Sequence, residues 1–361
     1  MSLNAPSSAD APSGRKLSAT VAIVIALIAA GIGVAGTAAY YELRPGAPPT
    51  APGVGSNRTT VVDDLGRTVS VPLNASRIVV LAPSLMDIVY RLGLRDRVVG
   101  VGCTTSITGG IYNEYSPNQT ALWGLSNSTC VTDYPSLNTA GVALLLPQLV
   151  LASTITSVTA VATLTNTYGI PVVILAPATL EGIVGDVRLV AQMFPSVVPT
   201  ALVLEATLET TLANATAFDN NLTTNGTAIP SVLLTYYFYT GEYYTYGATT
   251  FGQSLIDFAA GASISAGLPL EYGGLNASAV LLDQPSVILY GTSWNDAYLV
   301  SGETPSVWAS SASYWSQLNG TKIAVDVVLL SEPDPTMILA LPWFEYWLHP
   351  TLVAEPTSLP P

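Results

Sequence analysis

The sequence predicts an α/β protein of two Rossmann-like lobes joined by one long helix, behind an N-terminal transmembrane helix. Three observations predict it: an internal repeat, a strand–helix–strand succession, and an uncharged apolar run near the N-terminus. In the repeat, "AGVALLLPQLVLAS" (140–153) matches "SAVLLDQPSVILYG" (278–291), with Pro147 over Pro285. Each copy reads as a short helix, a proline break and a buried strand, and two copies of one arrangement imply two lobes of similar build. Similar neighbours flank them, "YGIPVVILAP" (168–177) and "GTKIAVDVVLL" (320–330).

Taken in order, residues 1–16 read as a cytoplasmic N-terminus and 17–41 as a transmembrane anchor. No charge occurs from Leu17 to Tyr41, which is long enough to span a bilayer. Arg15 and Lys16 precede the run, placing the N-terminus inside and the remainder outside. A cleaved secretory signal is the alternative; its apolar core normally has only ~7–15 residues, which favours a retained anchor. Residues 42–60 are rich in Pro and Gly and read as an extended linker.

An N-terminal lobe is expected over 61–196. "VVDDLGRTVSVP" has two β-rich runs around Asp64-Leu65-Gly66, a hairpin signal. "RIVVLAP" (77–83) is an apolar strand, followed by the helix "SLMDIVYRLGL" with Ser84 as N-cap and Gly93 at the C-terminal end. "RVVGVG" is the next strand, completing a parallel-sheet unit. Residues 197–220 read as the bridging helix, with helical spacing of Leu202, Ala206, Glu209 and Ala213 and Pro199 near its start. The C-terminal lobe then spans 221–361. Two such lobes leave a crevice where the carboxyl ends of their strands face each other, the usual ligand site in open α/β sheets.

Composition excludes several functions. The 361 residues are 49% hydrophobic and only 10% charged, with a net charge of −13. Only Arg188 and Lys322 are basic after Arg97, so nucleic acid is not a partner: phosphate binding needs clustered cations. The single histidine, His349, excludes a bare zinc or manganese site of the usual kind. No G-x-S-x-G, phosphate loop or Cys–His pair points to an enzyme. A surface with few titratable groups also changes little with pH, which suits an acidic habitat.

Export has two further signals. Nine of the fifteen asparagines lie in N-x-S/T sequons: Asn57, Asn74, Asn118, Asn127, Asn214, Asn221, Asn225, Asn276 and Asn319. Chance predicts about three, so glycosylation of an extracellular domain is expected. The two cysteines, Cys103 and Cys130, are candidates for a disulfide in an oxidising compartment, with two buried free thiols as the alternative.

Six segments then carry a resemblance: "VDDLGRTVSVP", "RIVVLAPSLMDIVYRLGLRDRVVGVG", "LLLPQLVLAS", "YGIPVVIL", "TTFGQSLIDFAAG" and "DPTMILALPWFEYWLHP". In this order they resemble the helical-backbone (class III) substrate-binding proteins of ABC importers, which capture ferric siderophores, haem and cobalamin. The match runs from about Val61 to Pro350 and implies two α/β lobes on one long helix. It implies an extracellular receptor on the cell membrane, working with an ABC permease and ATPase. In that family a glutamate on each lobe commonly docks onto permease arginines. Ala140 and Ser278 stand at the corresponding places here, Ser278 completing the Asn276 sequon, with Asp133 and Asp283 as nearby carboxylates.

The resemblance puts "TYYFYTGEYYTYG" (235–247), which holds six of the eighteen tyrosines, at the end of the second lobe's first strand. Tyr236 and Phe238 are expected in the core, and Tyr239, Tyr243 and Tyr246 at the crevice. Tyr112, Tyr115 and Trp123 would face them from the first lobe, and Trp294 would follow the second repeat. Ring faces with free hydroxyls suit a large ligand. No Arg or Lys falls on an expected crevice loop, which disfavours anionic catecholates. A roughly neutral guest, cobalamin-like or a ferric hydroxamate, is therefore expected, with Glu242, Asp296 and Glu303 available to a cationic group. The alternative is a surface structural glycoprotein on the same scaffold, since fold does not dictate function.

Overall fold

The computed structural model describes residues 57–105, 111–112, 130–134, 136–239, 241–269, 271–292 and 314–357. From Asn57 onward the chain forms one compact unit containing both lobes.

The first lobe opens with the hairpin β1 (Arg58–Val62) and β2 (Thr68–Pro72), so ordered pairing begins inside the segment expected to be linker. Gly66 makes the turn at a φ of 73°, where a side chain would be strained. The main sheet follows: β3 (Ile78–Val80), β4 (Val98–Thr105), β5 (Ile111–Tyr112), β6 (Cys130–Tyr134), β7 (Leu149–Ala152) and β8 (Val172–Ile174). Its order is β5-β4-β3-β7-β8, with β6 also pairing β4; all pairings are parallel except β4–β5. Every residue of β3, β7 and β8 is buried, because helices cover both faces of a parallel sheet. Cys130 is disulfide-bonded; Cys103, the chain's other cysteine, lies on the neighbouring strand β4.

Helix α1 (Pro83–Arg91) follows β3 and buries Leu85, Met86, Ile88 and Val89. Its N-cap is Ala82, not Ser84, and Ala82 has no side chain with which to cap. The proline at the first helical position moved the boundary, since Pro83 is preorganised there and lacks the N–H that a cap would satisfy. Helix α2 (Thr139–Leu144) precedes β7, α3 (Val158–Ala162) follows it, and α4 (Leu180–Met193) follows β8.

The bridging helix α5 runs Val198–Thr224. Its buried stripe is Ala201, Glu205, Leu208, Leu212, Ala215 and Leu222; Leu202, Ala206, Glu209 and Ala213 face solvent. Both stripes have helical spacing, and the tertiary contacts chose between them. Glu205 is buried because Arg188 of α4 donates two hydrogen bonds to it, at 3.0 and 2.8 Å. The helix touches α4 in the first lobe and three helices of the second.

The second lobe contains a parallel sheet of β9 (Ser231–Thr235), β12 (Ala262–Ser263), β14 (Val287–Thr292) and β15 (Thr321–Asp326), ordered β12-β9-β14-β15. A small antiparallel sheet joins β10 (Tyr237–Tyr239), β11 (Glu242–Tyr246) and β13 (Tyr272–Asn276). The helices are α6 (Phe251–Phe258), α7 (Ala277–Asp283), α8 (Val327–Ser331), α9 (Pro335–Leu339) and α10 (Leu341–Leu348). The internal repeat is visible atom by atom. Asn138 caps α2 and Asn276 caps α7, each accepting a backbone N–H with its side chain. Leu146 and Gln284, repeat partners just before the two prolines, both take a positive φ, 48° and 42°.

One expectation needs correction. The predicted anchor at 17–41 lies outside the described residues, and among the described residues no single helix is long and apolar enough to cross a membrane. What passes that test is a bent pair in mid-chain, Leu180–Met193 with Pro195–Thr224, turned by 119°; it comprises the packed core helices α4 and α5. The described fold is thus two α/β lobes on a long helix, and the membrane partnership and single-pass localisation expected from residues 17–41 are not carried further.

The repeat supplies a test. A non-glycine residue in the left-handed region costs roughly 1–2 kcal/mol. Leu146 is 74% exposed, so Leu146→Gly should raise stability by about 0.5–1 kcal/mol in urea denaturation. Gln284→Gly should not, because the Gln284 side chain bonds to the backbone of Gln317 and Asn319.

Candidate functional site in the interlobe seam

The segments that follow β3 in one lobe and β15 in the other meet in a polar seam. A helix N-terminus carries backbone N–H groups without helical partners and a partial positive charge. At α1 that requirement is met from across the seam: the Ser84 N–H donates to Glu332 Oε2 at 3.0 Å. One turn on, Asp87 Oδ2 accepts from the Thr336 N–H and Oγ1, at 3.2 and 3.1 Å, and from Arg91 Nε at 2.8 Å. Arg91 also donates to Thr336 Oγ1 at 2.8 Å. Asp334 caps α9 by accepting the Met337 N–H at 2.9 Å. Elsewhere in the interface, the Leu180 N–H of α4 donates to Ser254 Oγ of α6 at 3.2 Å.

Burial governs these carboxyls. It pushes Glu332 up to about 7, against the opposing pull of the hydrogen bonds from Ser84; the side chain keeps some solvent contact, which screens part of the effect. Burial raises Asp334 well above the usual carboxylate range, with the Asp87 charge adding to it. Asp87 is also raised by burial, the Arg91 guanidinium offsetting part of the rise.

Beside Glu332 lies a tyrosine cluster. Tyr246 packs on Tyr236 with ring centroids 4.9 Å apart and on Tyr272 at 5.6 Å. Tyr246 is buried, Tyr236 is half-buried and Tyr272 is 50% exposed. Burial pushes Tyr236 up to about 12 and raises both Tyr246 and Tyr272. All three therefore present neutral hydroxyls near neutral pH. A Cβ on Gly252 would strike the Tyr246 ring, so the backbone of α6 fixes that ring in place.

The expected ligand residues fare unevenly. Tyr243 is fully buried against Phe238 and Trp315, and Tyr246 belongs to the main core. Both are corrections to the crevice assignment. The reason is a turn: β9 ends at Thr235, and 237–246 is a hairpin closed at Gly241, whose φ is 85°. Rings read as belonging to a loop are thus in strands, and Tyr236 and Phe238, expected in the core, are only half-buried. Tyr239 pairs with Glu242 through its backbone beside that turn, and Tyr112 lies in β5. Tyr115, Trp123 and Trp294 lie outside the described residues, as do Asp296 and Glu303. The sequence reading missed Glu332, Asp87, Asp334 and Tyr272. "SEPDP" (331–335) held part of the signal, since an Asp before a Pro marks a helix start.

Ala140 and Ser278 are exposed, and near them the repeat partners Leu144 and Leu282 are 83% and 86% exposed. The seven described sequon asparagines, Asn57, Asn74, Asn214, Asn221, Asn225, Asn276 and Asn319, are all exposed, as surface asparagines are with or without a glycan; Asn118 and Asn127 lie outside the described residues. A groove of about 320 Å³ lined by Thr227–Pro230, Ser286 and Leu348–Leu352 sits at the amino-terminal edge of the second sheet, away from the strand ends that form the seam.

The described cations are all engaged. Among the described residues, Arg67, Arg91, Arg95 and Arg188 pair with carboxylates. Arg58, Arg77, Arg97 and Lys322 donate to backbone carbonyls. Also among them, no group of three His, Cys, Asp or Glu side chains is arranged to hold a metal ion.

Two lobes on one helix, with a seam at the strand ends, can be compared with known proteins. No family model matches the sequence and no curated protein matches it significantly. Solved structures do match. A periplasmic haem-binding protein from Pseudomonas aeruginosa is 19% identical with a TM-score of 0.62, covering 79% of this chain and 96% of its own. An ABC-type Fe3+-hydroxamate transport protein from Saccharomonospora viridis is 16% identical with a TM-score of 0.61, covering 82% and 99%. The periplasmic vitamin B12-binding protein of Vibrio cholerae is 19% identical with a TM-score of 0.56, covering 77% and 98%. The fold is that of the class III substrate-binding proteins. Identities at this level speak for the substrate-binding-protein fold alone.

The seam makes stability depend on pH. A carboxyl whose folded pKa exceeds its unfolded value contributes stability that is full below the unfolded value and is lost as pH rises through the folded one. Glu332 and Glu345, the latter also raised to about 7 by burial, place that loss between about pH 4.5 and 7. Thermal unfolding should therefore occur at higher temperature at pH 5 than at pH 8. The difference should shrink in Glu332→Gln and more so in Glu332→Gln/Glu345→Gln.

Proposed function

We propose that the chain is the extracytoplasmic substrate-binding component of an ABC importer, taking a bulky, roughly neutral metal chelate into the crevice between its lobes. A corrinoid of the cobalamin type is the first choice and a ferric hydroxamate the second. The observation that carries the choice is the engagement of every described cation by a carboxylate or a carbonyl. A haem bears two carboxylates and a catecholate chelate several negative charges, and anion recognition calls for free guanidinium or ammonium groups. The described seam offers instead neutral phenols at Tyr236 and Tyr272 and a carboxyl at Glu332. These suit a ligand with apolar faces and amide donors, since a tyrosine contributes broad contact and a hydroxyl at once.

Binding rather than catalysis follows from the same features. The fold neighbours are named as binding and transport proteins, and the seam's polar groups are spent on helix caps and lobe contacts. Nothing in the structure or in the comparisons favours the structural-glycoprotein reading.

Titration of the purified chain with cyanocobalamin, a ferric hydroxamate and haemin, followed by tryptophan and tyrosine fluorescence and by calorimetry, tests the reading. The neutral chelates should bind at micromolar concentration or tighter, and haemin at least tenfold more weakly. Tyr272→Ala should weaken the preferred ligand by about tenfold, or ~1.4 kcal/mol, without lowering the melting temperature by more than a few degrees. Absence of binding by all three ligands would overturn the importer reading.

A further inference from the structure

The contact that holds α1 to α8 and α9 has a property that lobe packing does not require. Beside the apolar packing of α1 with Leu330, Met337 and Ile338, it gathers several ionisable groups at one edge. Glu332 Oε2 takes the Ser84 N–H across the seam, and Asp87 takes both donors of Thr336. Asp334, in the cap of α9, interacts with Asp87 and Arg91 of α1 and with Glu332, while Glu332 also faces Tyr246 of β11 and Tyr272 of β13, with Glu271 behind Tyr272. Three carboxyls thus share the seam with one guanidinium. A further polar link between the lobes, Leu180 to Ser254, is uncharged.

We propose that this seam is a proton-operated latch: uptake of a proton by the Glu332–Asp334–Asp87 cluster holds the lobes together, and full ionisation releases α1 from α8 and α9 and widens the crevice. Separation of the lobes would return the Glu332 carboxyl to water and leave the Ser84 N–H to be solvated. The closed form therefore binds protons more tightly than the open form, and by linkage acid favours closure. A protonated Glu332 still caps α1, because its carbonyl oxygen accepts the Ser84 N–H as the carboxylate does. Burial raises all three groups, so each pulls the equilibrium the same way. The consequence is a receptor that is shut in an acidic medium and loosens toward neutrality.

Lobe separation can be measured with no ligand present, so its outcome is independent of the uptake reading. Leu144→Cys and Leu282→Cys place one spin label on each lobe at exposed, repeat-related positions, and no described native cysteine is free to compete. In the otherwise native full chain, the distance distribution should be single and narrow at pH 5. It should gain a longer component at pH 8, with the closed-to-open ratio falling by about tenfold or more. Glu332→Gln, which keeps an acceptor for Ser84 but cannot ionise, should hold the short distance at both pH values. Should that variant fold poorly, amide exchange over 82–92 in the native chain is the second measurement. Corrected for intrinsic rates, protection at Ser84 should be greater at pH 5 than at pH 8. A distance distribution that ignores pH, a Glu332→Gln chain that opens as the native one does, or protection that is the same at both pH values would overturn the latch.

Discussion

The structure turns on a single hydrogen bond between residues 248 positions apart, the Ser84 N–H to Glu332 Oε2. Helix α1 begins with Ala82 and Pro83 and has no capping side chain of its own. An uncapped N-terminus at a domain interface leaves N–H groups to be satisfied by some other acceptor. Here the acceptor comes from the other lobe, so completion of a helix in the first lobe and contact with the second are one event. The Asp87–Arg91–Thr336 network repeats the arrangement one turn further along. The backbone N–H groups of Ser84 and Thr336 each find their acceptor across this edge.

That dependence explains where polar and apolar surface lie. The bridging helix α5 carries an apolar stripe that serves helices from both lobes, and its one buried charge, Glu205, is neutralised by Arg188 of the first lobe. At the strand ends the apolar core shared by both lobes is edged by carboxyls, one guanidinium, and threonine and tyrosine hydroxyls. The polar contacts at that edge, in partial solvent, are worth little net energy and can be exchanged for water. The two kinds of contact thus combine an exchangeable edge with a rigid backbone helix. The sparse charge of the chain sharpens the effect, because each described basic residue is taken up locally and the seam carboxyls have a single cation among them.

The internal repeat shows how far sequence alone reaches. Asn138 and Asn276, the positive φ at Leu146 and Gln284, and the prolines after them recur in both lobes. Local rules fix them: a capping asparagine, a helix stop, a buried strand. The hairpin at Gly66 and the C-terminal glycine of α1, Gly93 with a φ of 71°, were legible for the same reason. The tyrosine-rich stretch was not. Its composition shows that aromatic surface is concentrated there, but alternate rings in a hairpin face opposite ways. Where β9 stops was decided by the pairing of β10 with β11 and of β11 with β13, which placed Tyr243 inside and left Tyr236 at the seam.

Sequence by itself determined the two α/β lobes, the long helix between them and the cation-poor character of the chain, because periodicity, turn residues and composition are local properties. Tertiary structure alone decided which stripe of α5 is buried, since two stripes have the same spacing and only the partners differ. It also decided that Glu332, Asp334 and Asp87 share one seam. Burial and interlobe hydrogen bonding set the proton affinity of those carboxyls, and both depend on residues about 250 positions distant in the chain.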